Sequence, residues 1–331
     1  METQKRTPWR RWIVLVLMIA GFILGGIYVP VQPEITVAAE KLIEEPLTEN
    51  FLGFAGPFYL VNTLPTLAVT IVLLLVIGFA ANRSLKKSQQ TDLVPSGIGN
   101  VMEAILEMLY NMTEGSAGTK WAKAIFPWFA TIMIYVLFAN LLKLIPGFES
   151  IGVIHHAHGE GHAIAELGGG WANILPEKLE HDGYILAPFF RGISVDLNFT
   201  LSLALISFFS IQVMGVRAQG LGYFSKFFNT KRMFKVPFFG AMDFLVGLLE
   251  IISEFAKILS FTFRLFGNMF AGVVLVAVVA SLLGKISILP SMIFMFELFV
   301  GVIQAFVFGM LTMVFMAMAT QGHGDEEHAE H

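Results

Sequence analysis

Apolar stretches long enough to cross a lipid bilayer recur along this chain, and they limit its fold more than any other feature. About 20 helical residues span a hydrocarbon core. Charged residues make up only 14% of the chain and hydrophobic residues 56%, whereas about 25% of the residues in a soluble domain are charged. The sequence therefore predicts an all-α polytopic membrane protein with about six crossing helices, at about 12–29, 60–82, 124–146, 197–216, 237–284 and 289–320.

The last two stretches are longer than a perpendicular crossing requires. At about 1.5 Å per residue, the stretch 237–284 would extend about 70 Å and the stretch 289–320 about 48 Å, against a hydrocarbon core about 30 Å thick. We expect the former to break or to lie steeply tilted, and the latter to be tilted.

A segment with helical spacing precedes the third stretch. In "SGIGNVMEAILEMLYNMTEGS" the acidic residues Glu103 and Glu107 stand between apolar residues. This pattern predicts an amphipathic helix lying at the membrane interface. Its apolar positions are Val101, Ile105, Met108 and Leu109.

Lys and Arg counts in the connecting segments predict the orientation, because these residues gather on the cytoplasmic side. Three segments carry four, five and five of them, and the three alternate segments carry one, three and one. We expect both termini in the cytoplasm of a bacterium and the polar insertion 148–190 on the opposite side of its plasma membrane. The basic segments are 1–11, 83–123 and 217–235, and the others are 30–57, 143–195 and 284–289.

The first apolar stretch follows a cluster of four basic residues, as in both signal peptides and membrane anchors. Its 18 residues, 12–29, exceed the usual signal-peptide core, which favours an anchor. The sequence "VAAE" at 37–40 leaves cleavage as the alternative.

The insertion is rich in Gly and His, and we expect it to be a loop. "HHAHGEGH" places His155, His158 and His162 at spacings of three and four, which on a helix could share a face and bind a transition metal. Gly159 and Gly161 argue against a helix, and the H-E-x-x-H order of zinc proteases is absent. These histidines are weak metal candidates, the alternative is a flexible loop or subunit contact, and no cofactor is expected.

One stripe of the predicted helix at 237–284 carries its charge. At about 100° per residue, Glu250 and Asn268 lie five whole turns apart, and three charged residues fall within about 40° of that line. These are Glu254, Lys257 and Arg264. Glu254 and Lys257, three residues apart, can neutralise each other.

Arg264 lies inside the apolar run "SFTFRLFGNMFAGVVLVAVV" at 260–279. An intramembrane charge costs at least about 2.5–3.5 kcal/mol and usually marks an ion pathway. The alternative is that Arg264 pairs with an acid elsewhere in the bundle. Since a guanidinium does not lose its proton at working pH, Arg264 would be a fixed positive charge. Such a charge can hold an ionised carboxylate and repel passing cations.

Four segments of this sequence together resemble one known family. They are "FANLLKLIPGF" (138–148), "SVDLNFTLSLAL" (194–205), "RLFGNMFAG" (264–272) and "IQAFVFGMLTMVFMAMA" (303–319). "RLFGNMFAG" resembles the signature of the a subunit of F-type ATP synthases, the membrane stator that faces the rotating ring of c subunits. The other three segments resemble that family's other helices in the same order. The resemblance covers roughly 58–147 and 189–321.

The resemblance implies an organisation and a set of partners. It divides the chain into an anchor with an acidic external segment (1–57), a stator hairpin with the interfacial helix (58–147), the insertion (148–190), the ion-translocating helices (191–321) and a cytoplasmic tail (322–331).

The implied partners are a c-subunit ring against which the last two helices are tilted, b subunits of the peripheral stalk, the soluble ATP-synthesising sector, protons and the lipid bilayer.

The resemblance also implies a role for individual residues. Arg264 matches the essential arginine, which acts on the carboxylate of each passing c subunit while two aqueous half-channels deliver and remove protons. Residues matching the inlet half-channel and the surroundings of the arginine are Asn268, Glu297 and Gln304. Asp196 and Asn198, preceded by Arg191 and Ser194, match the polar inlet, Glu250 and Ser260 match the outlet, and Asn140 matches a polar position of the third crossing.

Each of these positions has a structural alternative. Glu297 could cap an interfacial helix end, and Asp196 is well suited to cap the fourth crossing. Gln304 and Asn140 could bond a neighbouring helix, and Glu250 could be an exposed charge near a helix end.

The sequence departs from the family pattern at two positions. Val273 stands where many members have Glu or His, which leaves Glu297 and Asp196 as the inlet acids. Lys143 stands where some members have an acid.

Three other functions are alternatives to a proton-driven stator. A sodium-driven version of the same machine is one, because ion choice rests mainly on the c ring. A secondary transporter is the second, but that class usually shows internal repeats, and none is evident in this sequence. A membrane metalloenzyme is the third, but it would need metal ligands from helices, and the predicted crossings contain no histidine.

No long basic block indicates nucleic-acid binding, and the chain has no cysteine. It also lacks a nucleophile motif or phosphate loop, so we expect it not to be catalytic by itself.

Overall fold

The computed structural model describes most of the chain. The predicted anchor at 12–29, apart from two residues, and the predicted tail at 322–331 lie outside the described residues. So does His158. The described residues are Trp12, Val16, 37–49, 56–91, 97–145, 148–157, 161–181, 183–227, 237–283 and 289–321.

Long helices form the membrane part of the described chain. Five of them are long and apolar enough to cross a membrane, which confirms the predicted all-α polytopic architecture. Their bounds agree with the second to sixth predicted crossings within a few residues at most ends, and α2 also includes the predicted amphipathic helix. The helices are α1 (Thr63–Thr91), α2 (Ile98–Leu142), α3 (Leu197–Gln219), α4 (Pro237–Leu283) and α5 (Leu289–Thr320).

Helix α4 continues without interruption for 47 residues, a length of about 70 Å. It begins at Pro237, a residue that suits the first turn because its missing N–H is not needed there. We expected α4 either to break or to lie steeply tilted, and the helix does not break. Its tilt, and that of the 32-residue α5, stays a prediction.

Helix α2 contains a kink at Gly118. The backbone there has φ 72° and ψ 164°, a conformation that glycine adopts without steric strain. The predicted amphipathic helix and the third crossing are thus the two arms of one kinked helix. Leu109 of the first arm is fully buried, whereas Val101 is 58% and Met108 51% exposed. The exposed apolar side chains are compatible with lipid, and the interfacial placement of this arm stays a prediction.

The core lies between α2, α3, α4 and α5. The ring of Phe261 on α4 lies beside that of Phe308 on α5, with centroids 5.1 Å apart and the planes tilted by 39°. Close approach of α2 and α5 depends on Gly309, because a Cβ there would lie 2.8 Å from the Cβ of Met133. Small residues at such contacts are typical of membrane helices. Other buried members of the core are Phe129, Met214, Leu265, Met313 and Met316.

The insertion folds as a four-stranded antiparallel sheet, so the prediction of a loop is wrong. The strands lie in the order β1-β4-β2-β3. Glycines at 168, 169 and 170, all with positive φ, make the tight connection between β2 and β3. The loop was predicted from the Gly and His content, although two apolar segments flank this turn. The strands are β1 (Gly152–His156), β2 (Gly161–Gly168), β3 (Trp171–Leu179) and β4 (Tyr184–Pro188).

Strands β1 and β4 close the base of the sheet. Gly152 pairs with Pro188 at the end next to the helices, and the rings of Phe148 and Phe190 lie 5.3 Å apart just beyond that pair. The segments that leave α2 and enter α3 are therefore held side by side.

Candidate functional site

Arg264 lies on α4 with a half-buried side chain. Its Nη2 donates a hydrogen bond to Oγ of Ser260, one turn earlier, at 3.2 Å. Within the described part of the chain, no carboxylate pairs with Arg264. The structure thus gives no support to an internal acid as its partner. Asn268, one turn further along α4, is exposed.

Glu254 and Lys257 pair as expected. Lys257 Nζ donates to Glu254 Oε1 at 3.1 Å. The buried Glu254 carboxylate also accepts from Nε2 of Gln212 on α3 at 3.1 Å, and Lys257 Nζ lies 5.1 Å from the ring centre of Phe315 on α5. This group joins three helices. Glu250, one turn before Glu254, is half-buried.

A second charged group lies between the end of α2 and α5. Lys143 Nζ donates to Oε1 of Glu297 in a buried ion pair, with 7% and 6% of these residues exposed. The partners are 154 residues apart in sequence. Glu297 is in the third turn of α5, where its carboxylate binds a lysine and not the end of a helix. Sequence reasoning identified Glu297 but missed that Lys143 is its partner.

Two glycines make room for this ion pair. A Cβ on Gly272 of α4 would lie 2.8 Å from Oε1 of Glu297, and one on Gly192 would lie 3.0 Å from Cδ of Lys143. The ion pair therefore occupies space that α4 and the segment before α3 leave free of side chains. Val273, next to Gly272, packs against the hydrophobic core.

Asn140 lies one turn before Lys143 and is fully buried. Its Nδ2 donates to the carbonyl oxygen of Gly301 on α5 at 2.9 Å, and its Oδ1 accepts from Oγ of Ser194 at 2.6 Å. Asn140 thus makes the helix-to-helix hydrogen bond that was its structural alternative. Gln304, one turn beyond Gly301, is half-buried.

Asp196 caps α3, as its position in the sequence predicts. Its Oδ1 accepts from the backbone N–H of Asn198 at 2.9 Å, and its Oδ2 accepts from Oγ1 of Thr63 on α1 at 3.0 Å. The side chain of Asn198 is exposed. Asp196 and Asn198 border a largely apolar cavity of about 740 Å³ between α1, α2 and α3.

Glu149 is a further acid near this group that sequence reasoning missed. Its Oε1 accepts from the backbone N–H of Gly192 at 3.2 Å. Burial raises the pKa of Glu149, and the Gly192 N–H, Lys143 and Arg191 oppose this increase while the charge of Glu297 adds to it. No pattern in the sequence could identify Glu149, because its hydrogen-bond donor Gly192 is 43 residues further along the chain.

The histidines of the insertion do not form a metal site in the described residues. His155 pairs with Ile185 and His162 with Tyr184. Since neighbouring residues on a strand point to opposite faces, these two histidines lie on opposite faces of the sheet. No group of three metal-binding side chains occurs among the residues that the structure describes.

Candidate site residues lie on both sides of Arg264 along α4. Gly272, which touches Glu297, lies eight residues beyond Arg264, a rise of about 12 Å. Glu250 lies fourteen residues before Arg264, a rise of about 21 Å in the other direction. Arg264 therefore stands between the Lys143–Glu297 pair and Glu250.

A sequence model of the ATP synthase A chain family matches residues 64–317. The chain belongs to the ATP synthase A chain family. The ATP synthase subunit a of Mycobacterium bovis is 29% identical over 297 residues, which cover 89% of this chain and 99% of the relative. That of Helicobacter pylori (strain Shi470) is 31% identical over 261 residues, or 77% of this chain and 89% of the relative. Helicobacter acinonychis has a subunit a that is 30% identical over the same length.

Membership confirms the resemblance carried by the four sequence segments. As an ATP synthase A chain, the protein is an integral protein of a bacterial membrane and the ion-translocating stator subunit of the membrane sector. It is not itself catalytic.

Proposed function

We propose that this family member conducts protons through two aqueous half-channels that meet at Arg264, and so couples proton flow to rotation of a c ring. The observation that carries the proposal is the place of Arg264 on α4, between the Lys143–Glu297 pair and Glu250. A fixed charge at that point stops protons from passing directly between the two paths. Its partner is an ionised carboxylate on each c subunit, since no described carboxylate of this chain pairs with it.

The inlet path follows the end of the bundle that carries the sheet. Glu297 and Gln304 lie seven residues apart on α5, within about 20° of one face. Asn140 contacts the backbone of α5 between them. Asp196 and Asn198 supply polar groups at the start of α3, and Asn268 continues the path from Arg264.

The outlet path lies on the other side of Arg264. Its polar residues are Ser260, which accepts a hydrogen bond from Arg264, and Glu250, about 2.8 turns further along α4. The neutralised Glu254–Lys257 pair lies between them and ties α4 to α3.

Rotation follows from the offset between the two paths. A protonated carboxylate is neutral and can travel through lipid, whereas an ionised one is held near Arg264. The driving force is about 2.3 kcal/mol per proton per 100 mV, so several protons are needed for each ATP. The named relatives are ATP synthase subunits, so b subunits and a soluble ATP-synthesising sector complete the assembly. Both termini face the cytoplasm in this proposal.

Co-purification from the native membrane tests the proposal. We expect the chain to be isolated with a ring of small c subunits, and the reconstituted complex to acidify vesicles when ATP is added. The alternative function is sodium transport, because a sodium-selective c ring would use the same stator. ATP-driven sodium uptake without acidification would establish that alternative. Isolation without any ring would contradict both.

A further inference from the structure

We propose that Glu149 is the outermost proton-accepting group of the inlet path, and that the closed base of the insertion sheet holds it beside the Lys143–Glu297 pair. This inference rests on the proposed function. It assigns a role to an acid outside the membrane-crossing helices, and it gives the insertion a part in proton uptake.

The fold places Glu149 beside residues that are far away in sequence. Glu149 lies between the end of α2 and β1, and Gly192 lies between β4 and α3. The pairing of β1 with β4, and the backbone bond from Phe189 N–H to Ile151 O at 2.9 Å, bring these two connections together. The N–H of Gly192 can then bind the Glu149 carboxylate.

The same glycine links Glu149 to the buried ion pair. Gly192 has no side chain, so the Lys143 stem packs directly against its backbone, where a Cβ would lie 3.0 Å from Cδ of Lys143. Glu149 is therefore one backbone unit away from Lys143, which in turn bonds to Glu297. The Glu149 carboxylate therefore lies within electrostatic reach of both Lys143 and Glu297, between the base of the sheet and α5.

Glu149 is the acid of this group that can take up a proton. Glu297 is engaged by Lys143, so a proton arriving there competes with an ammonium group. Among the described residues, Glu149 has one hydrogen bond, from Gly192, and no ion pair.

The charged groups around Glu149 come from three parts of the fold. They are Lys143 after α2, Arg191 before α3 and Glu297 on α5. Burial raises the pKa of Glu149 above its ordinary value despite the two cations, so it binds a proton at a higher pH than a free glutamic acid.

The transfer needs no group beyond water and these side chains. A proton from external water forms an O–H bond on the Glu149 carboxylate. It then leaves Glu149 through water and forms an O–H bond on Glu297, which removes the charge that Lys143 attracts. Glu297 gives the same proton onward to the c-ring carboxylate and pairs with Lys143 again.

The test is passive proton flow through the assembled membrane sector, measured against external pH after the soluble sector has been removed. For Glu149→Gln we expect flow to fall about tenfold and the inflection of the wild-type pH profile to disappear. Glu149→His should restore part of the flow with the inflection moved, because an imidazole titrates near pH ~6.5. The matched control is Glu166→Gln, an exposed acid on β2, which should leave the profile unchanged.

Each other outcome overturns the inference. Normal flow in Glu149→Gln removes Glu149 from the path, and reduced flow with an unchanged pH profile reduces it to a structural residue. If Glu149→Gln does not assemble, Glu149→His decides the question by the position of its inflection. Glu297→Gln separates this inference from the proposed function: slowed flow in Glu297→Gln beside normal flow in Glu149→Gln would overturn only the inference, whereas normal flow in both would remove the inlet path itself.

Discussion

Lys143 and Glu297 join the end of α2 to α5 through a buried ion pair. Removing one partner of such a pair leaves an uncompensated buried charge, which costs about 3–5 kcal/mol. We expect Lys143→Met to lower the thermal unfolding temperature of the detergent-purified complex sharply. The double variant Lys143→Met/Glu297→Gln should recover most of the loss. Lys123→Met on α2 is the control, because Lys123 is exposed and the loss of a surface charge should cost little.

The close approach of Gly272 to the Glu297 carboxylate gives a second prediction. Gly272→Ala would place a Cβ 2.8 Å from Oε1 of Glu297, so the carboxylate oxygen that accepts from Lys143 would have to shift. We expect slower passive proton flow in a complex that still assembles. Gly78→Ala on α1, where a Cβ would meet nothing within 4 Å, is the control. Equal flow in the two variants would show that the position of the Glu297 carboxylate does not matter.

Arg264→Ala removes the fixed charge between the two proposed paths. We expect ATP-driven acidification of membrane vesicles to be lost, while the soluble sector detached from the same membranes still hydrolyses ATP. Arg217→Ala in the last turn of α3, which removes an exposed arginine, should pump normally. Coupled pumping by Arg264→Ala would refute the proposed mechanism.

Asp196 caps α3 and also has a proposed role in the inlet path. Two substitutions distinguish these two roles. Asn caps helices about as well as Asp, whereas Ala at a cap costs about 0.5–2 kcal/mol. We expect Asp196→Asn to keep the unfolding temperature and to slow proton flow, and Asp196→Ala to lower both. If Asp196→Asn conducts like the wild type, the charge of Asp196 has no part in conduction.

The orientation can be tested with single cysteines, because the chain contains none. Leu167 near the end of β2 is 72% exposed, and Ser116 is exposed beside the α2 kink. We expect an impermeable maleimide to label Leu167→Cys from outside intact cells and Ser116→Cys only in inverted vesicles. Labelling of both from the same side would contradict the Lys and Arg asymmetry.

Sequence reasoning was most successful where the signal is local. Apolar length located α1 to α5, and the preference of Asp for helix starts identified the cap at Asp196. The i,i+3 spacing of Glu254 and Lys257 predicted their ion pair. In each case the deciding interaction lies within a few residues of the chain or depends on membrane thickness.

It failed where the deciding contacts join distant segments. Nothing near Lys143 shows that its partner is on α5, and nothing near Glu149 shows that Gly192 will bind it. The sheet is different, because a local signal existed: apolar strand segments on both sides of Gly168, Gly169 and Gly170 are typical of a hairpin. Its Gly and His content concealed that pattern.

The antiparallel base of the insertion has a practical consequence for engineering. Paired strands hold Cα atoms about 4.5–5.5 Å apart, so β1 and β4 keep the segments that leave α2 and enter α3 side by side whatever lies beyond them. The outer hairpin of β2 and β3 can then be exchanged for a foreign domain with adjacent termini, such as a fluorescent reporter. The tip of the sheet is therefore an attachment point that leaves its β1–β4 base unchanged.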